Sequence, residues 1–510
     1  IDYSYDYSSS DSVAAPNQVA TVSPELFGAS STIGATIDLR AAADRYAAFY
    51  LGNVYEQMAA EISDGRRDQF DLDGAGVESV RISGHNLTAT WDRDNYTLKS
   101  ISGFRKYDQS NSGLDLDSGA YEVLDGADSV IVPIFHTSGE KSQHQFSQEF
   151  QILGTAFDER LNYVGGLYYF TETGEENVPW EFNIYAQSSF AGGTLLRDMG
   201  DFYKVKSSSY AAFSQMAYDL SDRFTLTLGM RYSADEKELT LFDSNPALDQ
   251  DFASKKDWSK FTTSLTGSYQ LTDDVHLYAK RAEGYASGVY NPGSIDMAAR
   301  NAGSALTPLD PEEITSYEIG MKSMWWDHRL LLNAAYFYND NQNLQVTDLV
   351  DAVRVSSNSG ASTAEGFEID AVLRITEGLT INTSYGEIEV ENSNPDLFQT
   401  VPKRSGSAGI EYVFSAFDIG ELSARLDITH TAANAFSAAD KETSADSRTL
   451  YNGRIALSAV EAFDGEVKVA LWGKNLTDEE YLVHGANFNY FRSYVWGAPR
   501  SIGVDLTYNY

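Results

Sequence analysis

The sequence predicts an all-β fold, a transmembrane antiparallel up-and-down β-barrel with about 18 strands. Three observations indicate it: apolar and polar residues alternate over long stretches, short turns alternate with long connecting segments, and the last residues form an alternating strand that ends in an aromatic residue. The composition agrees, because aromatic residues make up 13% of the chain while the mean hydropathy is only −0.34. Only 11 of the 510 residues are Pro, which cannot donate to a strand ladder.

The alternation is clearest over residues 224–232, where Phe, Leu, Leu, Met and Tyr occupy the even positions and Thr, Thr, Gly and Arg the odd ones. Successive side chains of a strand point to opposite faces, so this stretch predicts one apolar and one polar face. We therefore expect Leu228 to face lipid and Thr227 to face the lumen. Similar two-residue periods occur at 261–269, 367–375 and 422–428.

Short turns and long connecting segments alternate along the chain. Eight short polar turns are predicted at residues 92–95, 157–160, 219–223, 271–274, 326–329, 376–378, 416–420 and 463–465. Nine long segments are predicted at about 10–76, 109–142, 173–203, 239–257, 287–312, 344–354, 393–401, 435–447 and 477–499. Short periplasmic turns and long extracellular loops are typical of outer-membrane barrels. Seventeen connections predict roughly 18 strands.

The C-terminal strand is the sharpest local signal. Its apolar residues share one face: Ile502, Val504, Leu506, Tyr508 and the terminal Tyr510. Outer-membrane barrels typically end in such a strand, which the barrel-assembly machinery recognises. These five residues are therefore the predicted assembly signal.

Composition also excludes several functions. The formal net charge of −37 is the opposite of the basic footprint that nucleic-acid binding requires. No cysteine is present, no two histidines have a metal-ligand spacing, and no serine lies in a nucleophile elbow. We therefore expect no enzyme activity, cofactor or metal site, and we interpret acidic runs such as Asp71–Asp73 as loop carboxylates. The acidic surface is also expected to meet the lipopolysaccharide and lipid of an outer membrane.

Aromatic residues in two long segments are the candidates for ligand contact. Loops on a rigid scaffold commonly carry recognition, and aromatic side chains give contact area at a low entropic cost. The candidates are Trp180, Phe182, Tyr185 and Phe190 in the segment 173–203, and Phe488, Tyr490 and Phe491 in the segment 477–499. The alternative for such residues is an aromatic girdle at the membrane interface.

Several stretches, in conventional order, resemble proteobacterial TonB-dependent receptors. They are LKSISGFRKY at 98–107, QFSQEFQILGTAFDERLNYVGGLYYF at 145–170, YAKRAEGYASG at 278–288, PEEITSYEIGMK at 311–322, AAYFYNDNQNLQ at 334–345, SNSGASTAEGFEI at 357–369, LWGKNLTDEEY at 471–481 and the segment 497–510. The resemblance implies an integral protein of the Gram-negative outer membrane. It also implies a 22-stranded barrel filled by a plug and driven by an inner-membrane TonB–ExbB–ExbD complex.

The chain departs from the family pattern in lacking the plug and the segment that contacts TonB. Counting back from the last strand, Ile1 is expected near the fifth strand of the family's barrel, so residues 1–510 are expected to be a single barrel domain. The alternative is a true barrel of about 18 strands with an open lumen.

Three functional hypotheses remain open. The first is TonB-dependent import of a scarce, bulky solute, with a ferric siderophore as the commonest substrate in the family. The second is a passive porin, which would need an inward-folded loop, and the acidic segment 10–76 could serve. The third is a non-transport barrel that anchors or docks another envelope protein.

Overall fold

A computed structural model describes residues 1–13, 18–22, 57–63, 65–70, 72, 76–115, 119–125, 128–132, 135–182, 199–242, 252–292, 306–350, 353–394, 400–414, 420–437, 440, 442–462, 464–487 and 491–509. Its strands are β1 (Asp2–Val13), β2 (Gln18–Val22), β3 (Val77–Asp92), β4 (Tyr96–Asp115), β5 (Tyr121–Asp125), β6 (Asp128–Val132), β7 (Phe135–Ala156), β8 (Leu161–Phe182), β9 (Met199–Ser221), β10 (Phe224–Leu241), β11 (Phe252–Thr272), β12 (Val275–Ala286), β13 (Glu312–Trp325), β14 (Leu330–Gln342), β15 (Gln345–Val350), β16 (Val353–Asn358), β17 (Ser362–Arg374), β18 (Leu379–Asn392), β19 (Arg404–Val413), β20 (Glu421–Thr431), β21 (Asn434–Ala435), β22 (Ser444–Ala445), β23 (Arg448–Ala462), β24 (Gly465–Lys474), β25 (Leu482–Asn487), β26 (Phe491–Trp496) and β27 (Ser501–Asn509).

Eighteen of these strands form one antiparallel sheet, in agreement with the predicted number. Each strand pairs with the next one along the chain, in the order β1, β3, β4, β7, β8, β9, β10, β11, β12, β13, β14, β17, β18, β19, β20, β23, β24 and β27. Within the described ranges no ladder joins β1 to β27. This up-and-down order confirms the predicted fold class.

The remaining strands lie in the long connections. β5–β6 and β15–β16 are hairpins, β21 pairs with β22, and β2 pairs with β26 beside β25. α-Helix is limited, in the described part of the chain, to a short segment at 57–60, and no described helix is long and apolar enough to cross a membrane.

The sheet has one apolar and one polar face, as the alternation predicts. Leu228 on β10 lies directly opposite Leu265 on β11 and Met216 on β9, and residues paired in this way share a face. Leu228 and Leu265 are exposed although apolar, whereas Thr227 lies on the other face opposite Thr266. An apolar face left open to the surroundings is what a lipid-facing wall requires.

Exposed aromatic residues concentrate at two heights of this apolar face. On the side of the long connections they are Tyr210, Tyr232, Phe261, Tyr317, Tyr336, Tyr338, Phe367 and Tyr385. On the side of the short turns they include Trp91, Phe157, Trp325, Trp326, Tyr412 and Phe414. Two such girdles flank the apolar band of outer-membrane barrels, and the long connections of these barrels are the extracellular ones.

The predicted loop bounds were too wide on one side of the barrel. β8 continues to Phe182 and β9 begins at Met199, inside the predicted loop 173–203; likewise, β10 runs to Leu241 and β11 starts at Phe252. Trp180 and Phe182 therefore lie on a strand, where their backbones pair with Thr137 and Phe135 of β7, and their placement in a loop was wrong. These extensions rise above the aromatic girdle, where water contacts both faces and no apolar alternation is needed.

Candidate functional site

The inner face carries a network of ion pairs across the last third of the sheet. Arg425 on β20 donates from Nε to both carboxylate oxygens of Asp427, at 3.0 and 2.9 Å, and lies 3.5 Å from Glu411 on β19. Charge-assisted, two-point contacts of this kind fix the guanidinium in one orientation. The network holds charge on the lumen side of strands whose other face is apolar.

A second group on the same face lies farther along. Arg454 on β23 donates to Asp505 on β27 at 2.8 Å, and Trp472 on β24 donates from Nε1 to the other oxygen of that carboxylate at 2.9 Å. The ammonium of Lys474 lies 5.4 Å from the Trp472 ring centroid. The inner wall here therefore offers polar and aromatic groups to whatever occupies the lumen.

On β8–β10 the inner face carries an aromatic and cationic cluster. The guanidinium of Arg231 lies 5.5 Å from the ring centroid of Tyr168 and 6.0 Å from that of Phe213, and its Nε donates to Ser233 at 3.0 Å. A cation over aromatic faces is attracted by the ring quadrupole. Gly166 leaves room for this cluster, because a Cβ there would lie 2.5 Å from the Phe213 ring.

Three extracellular connections pack together into what we call the loop cluster, the described residues of segments 18–22, 57–70, 434–445 and 475–500. Its core consists of side chains that are almost fully buried: Val19, Met58, Thr443, Phe491 and Ser493. The segment 18–22 reaches it as β2, which adds a strand to the β25–β26 hairpin. Connections from near the two ends of the sheet thus pack together into one unit.

Asp440 ties two segments of the loop cluster together. Its carboxylate accepts hydrogen bonds from Asn487 at 2.7 Å and from Arg492 at 3.0 Å. Arg492 also forms an ion pair with Glu442 at 2.9 Å. The backbone carbonyl oxygen of Glu442 accepts a hydrogen bond from the Tyr494 hydroxyl. Burial disfavours the charged form of Asp440, but bonds from Arg492, the Glu442 amide and Asn487 outweigh it, so its pKa is lowered.

A second tie joins the first long connection to the last. Gln18 donates to the carbonyl oxygen of Gly65 at 2.8 Å. Arg66 lies 3.4 Å from Asp478, and its amide donates to Glu480 at 3.2 Å. The Arg500 amide and then the Arg66 guanidinium lower the pKa of Asp478. Sequence patterns did not reveal these residues, because their partners lie up to 414 residues away.

The predicted ligand-contact residues are not brought together by the described structure. Phe491 is in β26, is only 1% exposed and pairs with Val22 of β2, so it belongs to the packing of the loop cluster. The backbones of Trp180 and Phe182 lie on β8, as stated above. Tyr185, Phe190, Phe488 and Tyr490 lie outside the described residues. Contact of these seven side chains with a ligand stays a prediction.

The C-terminal strand presents the face that the sequence predicts. Ile502, Val504 and Leu506 are 68%, 68% and 74% exposed, and Tyr508 is 43% exposed, all on the apolar side of β27. Tyr510 lies outside the described residues. Among the residues with described positions, no group of three or more acidic or histidine side chains is arranged to hold a metal ion.

Comparison with known sequences identifies proteins related to this chain. The β-barrel family described as TonB dependent receptor-like matches residues 23–476. The chain is 25% identical to the pesticin receptor of Yersinia pestis over 323 residues, which covers 60% of this chain and 46% of that receptor. It is 24% identical over 312 residues to the metal-pseudopaline receptor CntO of Pseudomonas aeruginosa, which covers 58% of this chain and 41% of that receptor. The chain thus spans less than half the length of these relatives.

Solved structures share the fold. The ferric yersiniabactin uptake receptor FyuA from Yersinia pestis superposes with a TM-score of 0.69 at 18% identity, covering 85% of this chain and 62% of FyuA. The siderophore receptor PiuA from Acinetobacter baumannii gives a TM-score of 0.69 at 15% identity, covering 99% and 71%. With its family match, up-and-down sheet and lipid-facing wall, the chain belongs to the TonB-dependent receptor β-barrel family of Gram-negative outer-membrane proteins.

Proposed function

We propose that this protein is a TonB-dependent receptor that imports a scarce, bulky metal chelate, with a ferric siderophore as the first candidate. The observation that carries the proposal is the family match over residues 23–476. Relatives named for such cargo support the choice of substrate, among them the metal-pseudopaline receptor CntO and the ferric yersiniabactin uptake receptor FyuA. The proposal assigns no catalytic step to the chain.

In this mechanism the extracellular side captures the ligand and the lumen provides the path. The loop cluster and the strand extensions above the girdle would make the first contacts, since recognition residues commonly lie on loops held by a rigid scaffold. The polar inner wall around Arg425 and Arg231 suits the passage of a charged solute better than an apolar wall would. A plug would close the lumen until the TonB–ExbB–ExbD complex pulls on it.

We place the plug and the TonB-contacting segment outside residues 1–510, which would make the described chain one barrel domain of a longer protein. The share of each relative that the chain covers, 46% for the pesticin receptor and 62% for FyuA, supports this placement. The outward face of β27 supports recognition by the barrel-assembly machinery, and the girdles support contact with lipopolysaccharide and lipid.

Uptake of radioactive ferric iron tests the proposal. Cells with the gene, without it, and with the gene but an inactive ExbB are given iron bound to catecholate, hydroxamate or carboxylate siderophores separately. We expect uptake of one chelate class to need both the gene and ExbB. Uptake that needs the gene but not ExbB would contradict active transport.

A passive porin is the second candidate, and one observation favours it. Segments of the β12–β13 connection fold onto the inner face, where Tyr290 and Leu306 pack against Leu239 and Leu241 of β10. An inward-folded loop is what a porin needs to narrow its lumen. Of the segment 10–76, predicted for this role, the described residues of 18–22 and 57–70 belong to the loop cluster, and residues 23–56 lie outside the described residues.

A further inference from the structure

Two hydrogen-bond donors at the loop cluster have no acceptor. The Nη1 nitrogen of Arg448, the first residue of β23, and the indole Nε1 of Trp496, the last residue of β26, are both buried and have no hydrogen-bond partner among the described residues. Buried donors in folded proteins are nearly always satisfied, because an unmatched donor loses its bonds to water without replacement. The pair therefore indicates a site from which an acceptor is missing.

Arg448 is also a charge without a counter-ion. Its side chain is half-buried, and in the described part of the chain no carboxylate forms an ion pair with it. The guanidinium lies 5.5 Å from the ring centroid of Tyr481, which attracts a cation but does not replace an anionic partner. A partly desolvated charge is normally paired. Because the chain has 74 acidic residues, the missing partner does not reflect a shortage of carboxylates.

Tyr481 brings the two donors to one place. The backbone of Trp496 lies opposite Leu482, the residue that follows Tyr481. The amide of Gly497, next to Trp496, donates to the carbonyl oxygen of Tyr481 at 2.7 Å, and a Cβ on Gly497 would lie 2.1 Å from the Tyr481 ring. The ring therefore packs against the backbone beside Trp496 and has the guanidinium of Arg448 near it. We call Arg448 and Trp496 the donor pair.

The same wall of the barrel shows what such a pair binds. Arg448 shares the inner face of β23 with Arg454, because residues separated by an even number of positions in a strand point to the same side. At that lower position the Arg454 guanidinium and the Trp472 indole each donate to one oxygen of the Asp505 carboxylate, at 2.8 and 2.9 Å. A guanidinium and an indole N–H thus form a two-point site for a carboxylate. The donor pair repeats these groups, but among the described residues no carboxylate joins them.

We propose that the donor pair binds a carboxylate group of the imported ligand, with one carboxylate oxygen on Arg448 and the other on Trp496. The inference deepens the proposed import and rests on it for the origin of the ligand. A cation is excluded because both side chains only donate, and a neutral acceptor would leave the permanent charge of Arg448 without a counter-ion. Among iron chelators the site therefore favours those with free carboxylates over neutral hydroxamates.

Isothermal titration of the full protein, purified from outer membranes in detergent, tests the site. The probes are citrate and triethyl citrate, which has the same skeleton but no free carboxylate. R448Q removes the charge, and W496F keeps an aromatic ring but removes the N–H. We expect citrate to bind saturably, R448Q to weaken its binding about 30-fold and W496F about tenfold, as the loss of hydrogen bonds to a charged group would. W91F, at the short-turn end of β3, is the matched control and should bind citrate like the wild type.

Nuclear magnetic resonance of the indole N–H groups separates direct contact with the probe from an indirect effect of the substitutions. The chain has seven Trp residues, and the signal of Trp496 is the one that W496F removes. We expect citrate to move this signal, because the indole N–H gains a charged acceptor, and to leave the signal of Trp91 in place. Triethyl citrate should move neither signal.

Heat-modifiable migration on gels checks that the variants keep a folded barrel. Wild-type affinity for citrate in R448Q or W496F, an unmoved Trp496 signal, equal binding of triethyl citrate, or no saturable binding of citrate would each overturn the proposal. Inorganic phosphate that binds as tightly as citrate would overturn the assignment to a carboxylate. These measurements need no energy source, so uptake that is independent of ExbB would reject the proposed function and leave the site standing, whereas the outcomes above reject the site alone.

Discussion

At the scale of single residues, the two faces of β10 can be tested with one pair of substitutions. Leu228 lies outward between Leu226 and Met230, whereas Thr227 lies inward. We expect Leu228→Arg to lower the free energy of unfolding by about 2–4 kcal/mol, because a charge would be moved into the apolar band. Thr227→Arg places the same charge in the lumen and should cost much less. Urea titration of both variants folded into lipid vesicles measures the difference, and equal costs would contradict the face assignment.

The carboxylate of Asp440 makes the loop cluster sensitive to acid. Its folded-state pKa is lowered, so its ion pair and hydrogen bonds stabilise the cluster above the usual aspartate pKa of about 3.9 and are lost as the pH falls through the lower folded value. We expect the protection factor of the Glu442 amide, which donates to Asp440 at 2.9 Å, to be constant above about pH 4 and to fall below it. Hydrogen exchange with mass spectrometry measures this.

Asp440→Asn is the matched control, because it keeps the shape of the side chain and removes the titrating charge. Its Glu442 amide should be less protected at neutral pH and show little further change on acidification. A wild-type protection factor that is flat from pH 7 to about pH 3 would contradict the role given to Asp440. Since the cluster lies outside the barrel wall, amides of β20 should stay protected throughout.

At the scale of elements, the outward face of β27 is the predicted assembly signal. Leu506 is 74% exposed on this face, and Thr507 points to the other. We expect Leu506→Asp to reduce the amount of folded protein in outer membranes several-fold, because it breaks the apolar face that the assembly machinery would recognise. Thr507→Asp should reduce it little. Immunoblots of outer-membrane fractions, with and without heating, measure the amount of folded protein for both variants. Equal losses would contradict the assignment of this face as the assembly signal.

The sequence predicted those elements whose two faces meet different surroundings. β10, β17 and β20 were found because lipid on one side and the lumen on the other impose a two-residue period. The upper part of β8 was missed, because residues 171–182 read TETGEENVPWEF and show no apolar alternation, since both faces there contact water. The number of strands was nevertheless correct, since turns and loops alternate whatever the strand lengths.

The loop cluster could not be predicted from local patterns. β2 pairs with β26 although the two strands lie near opposite ends of the chain, and Asp440 and Arg492 lie 52 residues apart in sequence. No periodicity links such residues, because their contact depends on how the sheet brings its first and last connections together. For the same reason the sequence marked Phe491 as a ligand-contact candidate, whereas the structure buries it between strands.

At the scale of the whole molecule, two parts have different roles: the wall, which is the membrane-spanning part of the sheet, and the rim, which is made of the extracellular connections and the strand extensions above the girdle. The wall is a repeated pattern of apolar and polar positions that fixes the protein in its membrane. The extracellular side is irregular: the strands are tall over β7–β11, the β11–β12 ladder stops at the pair Ser264–Ala282, and a packed loop cluster lies above the first and last strands. Specificity for a chelate or a partner would therefore reside in the rim, where the chain is free of the constraint imposed by lipid.

The last prediction concerns the size of the native protein. If residues 1–510 are the barrel domain of a gated importer, the protein isolated from outer membranes should have an intact mass well above 56.2 kDa and carry a plug-like domain. Intact-mass spectrometry combined with N-terminal sequencing measures both. A mass near 56.2 kDa with Ile1 as the first residue would remove the plug and the TonB contact together. Energised import would then have to be abandoned in favour of a passive pore, whereas the fold and the membrane-facing wall would be unaffected.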